Sequence, residues 1–186
     1  MVLYLKCESY GIGLDLPTMP AVAADRLSAL REGIDGPVEI DGVGSPIPNL
    51  FPYIQHTDLE SEVDIEKLNA LAQRVYGMTE AEQHLFSGAL ELERSGGLDN
   101  ALRIANGLEQ YEIFPKIITN EDLGRFLVDT SFMTGKFAFP EETRPYLDYG
   151  KIGAEQRDVL GGIYPPPTDS SGGVRRPQYR RRSQGR

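Results

Sequence analysis

One cysteine in 186 residues, Cys7, leaves no material for a disulfide framework or a multi-cysteine zinc site. No stretch approaches the roughly 18 consecutive apolar residues of a membrane span, so an integral membrane protein is not expected. The chain offers only Met1 to Leu5 before Lys6 and Glu8, too short for the apolar core of a signal peptide. A cytoplasmic protein is the expectation. Histidine is almost as scarce as cysteine. His84 has Glu80 one turn earlier and reads as an ordinary helix histidine, and His56 falls in a proline-rich connection. Cys7, on a short strand, reads as a small buried apolar residue.

The usual signatures of catalysis are missing too. Gly11-Ile12-Gly13 lacks the third glycine of a dinucleotide fingerprint and does not open a helix after a long strand. There is no phosphate-cradling Gly-Lys-Ser/Thr loop and no Gly-x-Ser-x-Gly elbow. No catalytic residue, metal or cofactor is therefore expected, and the chain reads as a binding protein.

What is present is a packable composition, 40% hydrophobic and 25% charged, with an uneven charge. The formal net charge is −9, but residues 58–114 alone carry 4 basic and 12 acidic side chains. The tail from Ser170 carries 6 arginines and no acids, so the rest of the chain stands at −15. Such a body repels nucleic acid and acidic membranes and attracts basic surfaces.

Pattern along the chain predicts an α+β fold in three small domains. Residues 1–57 form the first, with strands at Val2–Lys6 and Ile12–Leu16 turning at Gly11, a helix from Pro20 to Arg31 ended by Gly33, and a strand at Val38–Asp41. Gly42 to Pro52, with two glycines and three prolines, reads as irregular. Residues 58–108 read as wholly helical. Ile65, Leu68, Leu71, Ala72 and Val75 share one face; Thr79 and Glu82 form a capping box before Leu85, Phe86, Ala89 and Leu92; a third helix covers Leu98–Leu108. Residues 109–164 follow as a second α+β unit, with Tyr111–Ile118 extended, Asn120 capping a helix through Asp129 whose buried side includes Leu123, Phe126 and Leu127, short helices near Pro140 and from Gly150 to Leu160, and a strand at Ile163–Tyr164. From residue 165 to 186, prolines, Ser-Ser-Gly-Gly and arginines lack apolar periodicity and predict a disordered tail.

The run Asp58, Glu60, Glu62, Asp64, Glu66 places a carboxylate at every second position. It lacks the glycine and the terminal glutamate of an EF-hand loop. In an extended chain, alternate side chains share a face at about 6.6 Å, roughly twice the axial rise between phosphates of one DNA strand. If its second half is helical, Glu62 and Glu66 become unfavourable neighbours at i, i+4, at a helix start that otherwise suits acids. Glu80, Glu82, Glu91 and Glu93 extend the acidic surface. Carboxylates on a rigid scaffold can occupy phosphate positions in a basic groove.

Several stretches, in order, resemble the ArdA antirestriction family over residues 1–164. They are Leu14-Asp15-Leu16-Pro17-Thr18-Met19-Pro20, Lys67-Leu68-Asn69-Ala70-Leu71-Ala72, Asn120-Glu121-Asp122-Leu123-Gly124-Arg125, Phe139-Pro140-Glu141-Glu142, Tyr146-Leu147-Asp148-Tyr149, Ile152-Gly153, Arg157-Asp158 and Gly161-Gly162-Ile163-Tyr164. The chain departs from the family at Pro165-Pro166-Pro167, at Gln156 and in the arginine tail. The resemblance implies an elongated acidic DNA mimic that occupies the DNA-binding groove of a type I restriction-modification enzyme in a bacterial host, as a homodimer. The acidic body itself would bind no DNA. On this reading Asp58, Glu60, Glu62, Asp64, Glu66, Glu80, Glu82, Glu91 and Glu93 are phosphate mimics. The 120–164 region, through Phe126, Phe132, Phe137 and Tyr149, is the expected dimer interface, and the tail is expected to be dispensable for inhibition. The competing readings are an acidic inhibitor of another nucleic-acid-binding defence protein, such as a CRISPR effector, and a small metal-dependent hydrolase using the acidic cluster. No base, nucleophile or metal set accompanies that cluster.

Overall fold

A computed structural model of the chain describes residues 1–32, 36–94, 96–114, 117–130, 139–163 and 178–181. The fold is mixed α+β, and the chain divides into two compact units, Met1–Leu108 and Glu109–Arg186.

In the first unit, β1 (Val2–Cys7) and β2 (Tyr10–Asp15) form a hairpin, and β3 (Glu39–Gly44) pairs antiparallel with the other side of β1. The hairpin turns at Glu8-Ser9 rather than at Gly11, with Glu8 in the left-handed region at φ 50°. The alternation of the strands explains this placement. Leu3 and Leu14 pair directly and are buried together with Leu5 and Cys7, a register that a turn at Gly11 would break. Gly42 and Gly44, expected in an irregular connection, lie within β3. The Tyr4 side chain of β1 lies across them: a Cβ at Gly42 would meet Tyr4 Cδ2 at 3.4 Å, and one at Gly44 would meet Tyr4 Oη at 3.2 Å.

Helix α1 (Pro20–Arg31) buries Ala23, Leu27 and Leu30 against this sheet, at the predicted spacing. The predicted Gly33 stop lies outside the described residues. Proline at the first helical position suits a helix start, and the preceding Thr18 is held from a distance. Its N–H donates to Asn69 Oδ1 at 2.7 Å, and Asn69 Nδ2 donates back to its carbonyl at 2.6 Å.

The predicted boundary near residue 57 does not separate compact units. After β3, Ile47, Leu50 and Ile54 are fully buried, and α2 (Phe51–Ile54) anchors the connection. Tyr53 Oη donates to the Leu90 carbonyl at 2.5 Å, Asn49 Nδ2 to the Ser87 carbonyl at 2.7 Å, and Ser87 Oγ to Asn49 Oδ1 at 2.8 Å. These bonds tie the first α+β segment to the helical one within the compact unit Met1–Leu108.

The three predicted helices are α3 (Glu62–Tyr76), α4 (Glu80–Glu93) and α5 (Leu98–Asn106). Helix α3 buries all five predicted residues. Helix α4 buries Phe86, Gly88, Ala89 and Leu90, while Leu85 and Leu92 stay half-buried, so its inward face is turned from the predicted stripe. Arg74 Nε donates to the Ala105 carbonyl at 3.1 Å and ties α3 to α5.

The second unit contains β4 (Tyr111–Phe114), α6 (Asn120–Thr130), a 3₁₀ turn at Glu141–Tyr146, α7 (Tyr149–Leu160), β5 (Gly162–Ile163) and β6 (Gln178–Arg181). Asn120 is the first helical residue of α6, and Thr119 is the cap. The Asp122 N–H donates to Thr119 Oγ1 at 3.1 Å, and the Thr119 N–H donates to Asp122 Oδ2 at 2.9 Å. The core here is Ile117, Leu123, Leu127 and Val128. Helices α6 and α7 meet backbone to backbone. A Cβ at Gly124 would fall on the Tyr149 carbonyl, and one at Gly153 on that of Asn120, both far inside van der Waals contact. Gln156, one turn after Gly153, is buried, which is no place for the uncompensated charge of an arginine or acid.

Gln178–Arg181, expected within a disordered tail, form a strand instead. β6 is the middle strand of an antiparallel sheet ordered β4-β6-β5, with Glu112 opposite Arg180. β4 and β5 do not pair with each other, so β6 supplies ladder partners to both. Such a non-local pairing leaves no periodic trace in an arginine-rich sequence. Deleting residues 168–186 is expected to lower the melting temperature of this unit by about 5 °C or more. Circular dichroism melts of the full and shortened chains check this, and superimposable curves would show that the sheet stands without its central strand.

Candidate functional site

The acidic run adopts two conformations. Asp58 to Ser61 form a turn, with the Glu60 N–H donating to Asp58 Oδ1 at 2.9 Å. Ser61 then caps α3, accepting from the Asp64 N–H at 3.3 Å. The evenly spaced extended face is therefore not formed. Glu62 and Glu66 are helical neighbours on α3 instead, and the helix start compensates for their repulsion.

Five of the nine carboxylates have structural employment. Asp58 closes the turn, and Glu60 pairs with Arg31 of α1. Asp64 lies 3.5 Å from Lys67, which also reaches Asp99 at 2.9 Å; the hydrogen bond to Asp99 is the largest cause raising the Lys67 pKa above the ordinary lysine value. Glu82 completes the predicted capping box. It accepts from the Thr79 N–H at 2.9 Å, and that bond, ahead of the Thr79 hydroxyl and Arg74, holds its carboxyl below the ordinary glutamate value. Glu93 faces Arg103 of α5 at 3.2 Å, with its side chain only 15% exposed. The remaining four make no hydrogen bond or ion pair among the described residues: Glu62 and Glu66 on α3, Glu80 and Glu91 on α4. Glu62, Glu66 and Glu80 are exposed, and Glu91 is half-buried.

Most of the cations that neutralise the others carry no local signal in the sequence. Lys67 is legible, three residues after Asp64 on one helix. Arg31, Arg74 and Arg103 meet their acids across separate elements, and no local pattern announces such pairs. The charge is also partitioned by the fold. Residues 1–108 carry 7 basic and 17 acidic side chains, while the second unit, tail included, carries 12 basic and 11 acidic. The acidity belongs to the first unit.

Two of the four aromatic residues expected at a dimer interface are engaged within the second unit. Phe126 packs edge-on to Phe114 with ring centroids 5.4 Å apart. Tyr149 donates its hydroxyl to the Arg144 carbonyl at 3.0 Å, and the Arg125 guanidinium stacks on its ring at 4.7 Å. Local packing explains both residues without a second copy. Phe132 and Phe137 lie outside the described residues. His56 and His84 are exposed and Cys7 is fully buried. Among the described residues, no three His, Cys, Asp or Glu side chains gather as a metal site, and no helix is long and apolar enough to cross a membrane.

Against this geometry, no protein-family model matches the chain, and neither does any curated protein.

Proposed function

We propose that the protein is an antirestriction factor, a non-enzymatic acidic mimic of DNA that occupies the DNA-binding groove of a type I restriction-modification enzyme. The observation that carries the reading is the excess of 17 acidic over 7 basic side chains in the first unit, with Glu62, Glu66, Glu80 and Glu91 uncommitted to partners within the fold. Uncommitted carboxylates are available to a basic surface and lose no internal ion pair on binding. The ordered resemblance to the ArdA family supports the same reading. Four of its motif residues have definite work: Asn69 holds the entry to α1, Asp122 completes a helix cap, and Gly124 and Gly153 bring two helices together.

Association of this kind is driven by the long-range field and by counterion release from the groove, so it weakens with salt. The protein is expected to displace labelled DNA from a type I enzyme, with its apparent affinity falling about tenfold or more between 50 and 200 mM salt. Displacement that is independent of salt, or no displacement at low salt, would refute the mechanism. Displacement from a CRISPR effector but not from a restriction enzyme would reassign the target.

A further inference from the structure

The solvent face of the β2-β1-β3 sheet is unusually bare. Register places Val2, Tyr4 and Lys6 of β1 opposite Asp15, Gly13 and Gly11 of β2, and opposite Gly44, Gly42 and Glu39 of β3. Four of the six flanking positions are glycine, so no side chain rises beside Tyr4 on either neighbour strand at its own level. Its ring rests on the backbone at Gly42 and Gly44, and the residue is still 52% exposed. A concavity of about 420 Å³ adjoins it, lined among others by Lys6, Tyr10, Gly11, Gly13 and Asp41. Helix α1 packs on the opposite side of the sheet, where Leu3, Leu5 and Leu14 are buried, and does not cover this face.

A flat ring on a glycine floor accepts a planar group by stacking. Which planar group is decided by the charge around it. Asp15, Glu39 and Asp41 are exposed, against Lys6 and the Met1 ammonium that interacts with Asp15, in a unit with ten more acids than bases. A nucleobase would bring its phosphates into that field, whereas a guanidinium is attracted by the carboxylates and by the ring face together.

We propose that this sheet face docks an arginine side chain of a basic protein partner, with the guanidinium stacked on Tyr4 and bracketed by Asp15, Glu39 and Asp41. The proposal deepens the mimicry reading, and rests on it only for the identity of the partner. A groove that binds phosphates with arginines would meet carboxylates on α3 and α4, and here an aromatic anchor that DNA phosphates do not offer.

The test uses the full chain with two probes of equal charge, tri-arginine amide and tri-lysine amide, titrated by NMR. The arginine peptide is expected to bind about two- to fivefold more tightly, with shifts centred on β1 and β2. Tyr4→Phe should retain that preference and Tyr4→Leu should remove it. Gly13→Val should also remove it by filling the concavity without altering Tyr4; a Cβ there meets only Val2 Cγ1 at 3.5 Å, which keeps the test open should Tyr4→Leu not fold. Equal binding of the two peptides by the native chain would overturn the proposal, as would a preference that survives in Gly13→Val. So would a single-stranded oligonucleotide that shifts the same residues and excludes the arginine peptide. If the preference holds while the protein fails to displace DNA from a restriction enzyme, the mimicry reading falls and the docking surface stands.

Discussion

Gly153→Ala is expected to destabilise the second unit by about 3 kcal/mol or more, at the top of the overpacking range. The same change in an ordinary exposed helix stabilises by about 0.5–1 kcal/mol, because alanine loses less backbone entropy than glycine. Here the added methyl falls on the Asn120 carbonyl carbon and oxygen. A peptide group within a helix cannot swing aside as a long side chain does. The two helices must separate, and the contacts of Leu123, Leu127 and Val128 loosen with them. Gly124→Ala meets the Tyr149 carbonyl in the same way. Gly150→Ala is the matched control on α7, where the new Cβ would meet only Asp148 Oδ1, at 3.4 Å, and its effect should stay within about 1 kcal/mol. Thermal melts of the three variants decide the matter. A fall in melting temperature of about 12 °C or more is expected for Gly153→Ala, and a melt matching that of Gly150→Ala would show that the helices do not approach so closely.

The second large effect concerns function. Simultaneous reversal of Glu62, Glu66, Glu80 and Glu91 to lysine is expected to weaken competition with DNA for the restriction enzyme by about 3–6 kcal/mol, a hundredfold or more. Each attraction to a basic groove becomes a repulsion, so the change per site is about twice that of neutralisation. A single Glu→Gln change should cost no more than about 1 kcal/mol, as exposed charges usually do. None of the four forms a hydrogen bond or ion pair among the described residues, so their reversal spares the Arg31, Lys67, Arg74 and Arg103 pairs. Some helix stability is lost, since Glu62 and Glu80 open α3 and α4 at the ends that favour negative charge. Circular dichroism must therefore show the variant folded. A folded variant that competes as well as the native chain would exclude carboxylate mimicry through these residues.

Much of the local structure was legible. The α3 stripe from Ile65 to Val75 and the Thr79–Glu82 capping box are each built from residues three or four positions apart. Short-range determinants of that kind survive in the sequence as spacing. Glycine is the commoner turn signal and points to Gly11, yet the register of Leu3, Leu5 and Leu14 pins the turn to Glu8-Ser9. Glycine also misled at Gly42 and Gly44, where the reason for the missing side chains lies on another strand, in Tyr4.

The candidate surface was legible only as a total. Counting acids along the chain located the charge, but not which carboxylates remain available to a partner. That depends on Arg31, Arg74 and Arg103 approaching from other helices, and on Glu93 being largely enclosed. Likewise the even spacing of Asp58 to Glu66 is a property of the sequence alone, because Ser61 caps a helix and turns the second half of the run.

The sequence by itself determined the α+β class, the buried face of α3, the Thr79–Glu82 cap and the excess of acid, since each follows from composition or from neighbours within about four residues. Only the tertiary structure decided that residues 1–108 form one compact unit, that Gly124 and Gly153 are contact points between helices, and that Gln178–Arg181 is a central strand. Those outcomes depend on pairings between residues far apart in the chain. Such pairings are selected by the burial and hydrogen bonding of the whole fold rather than by any local preference.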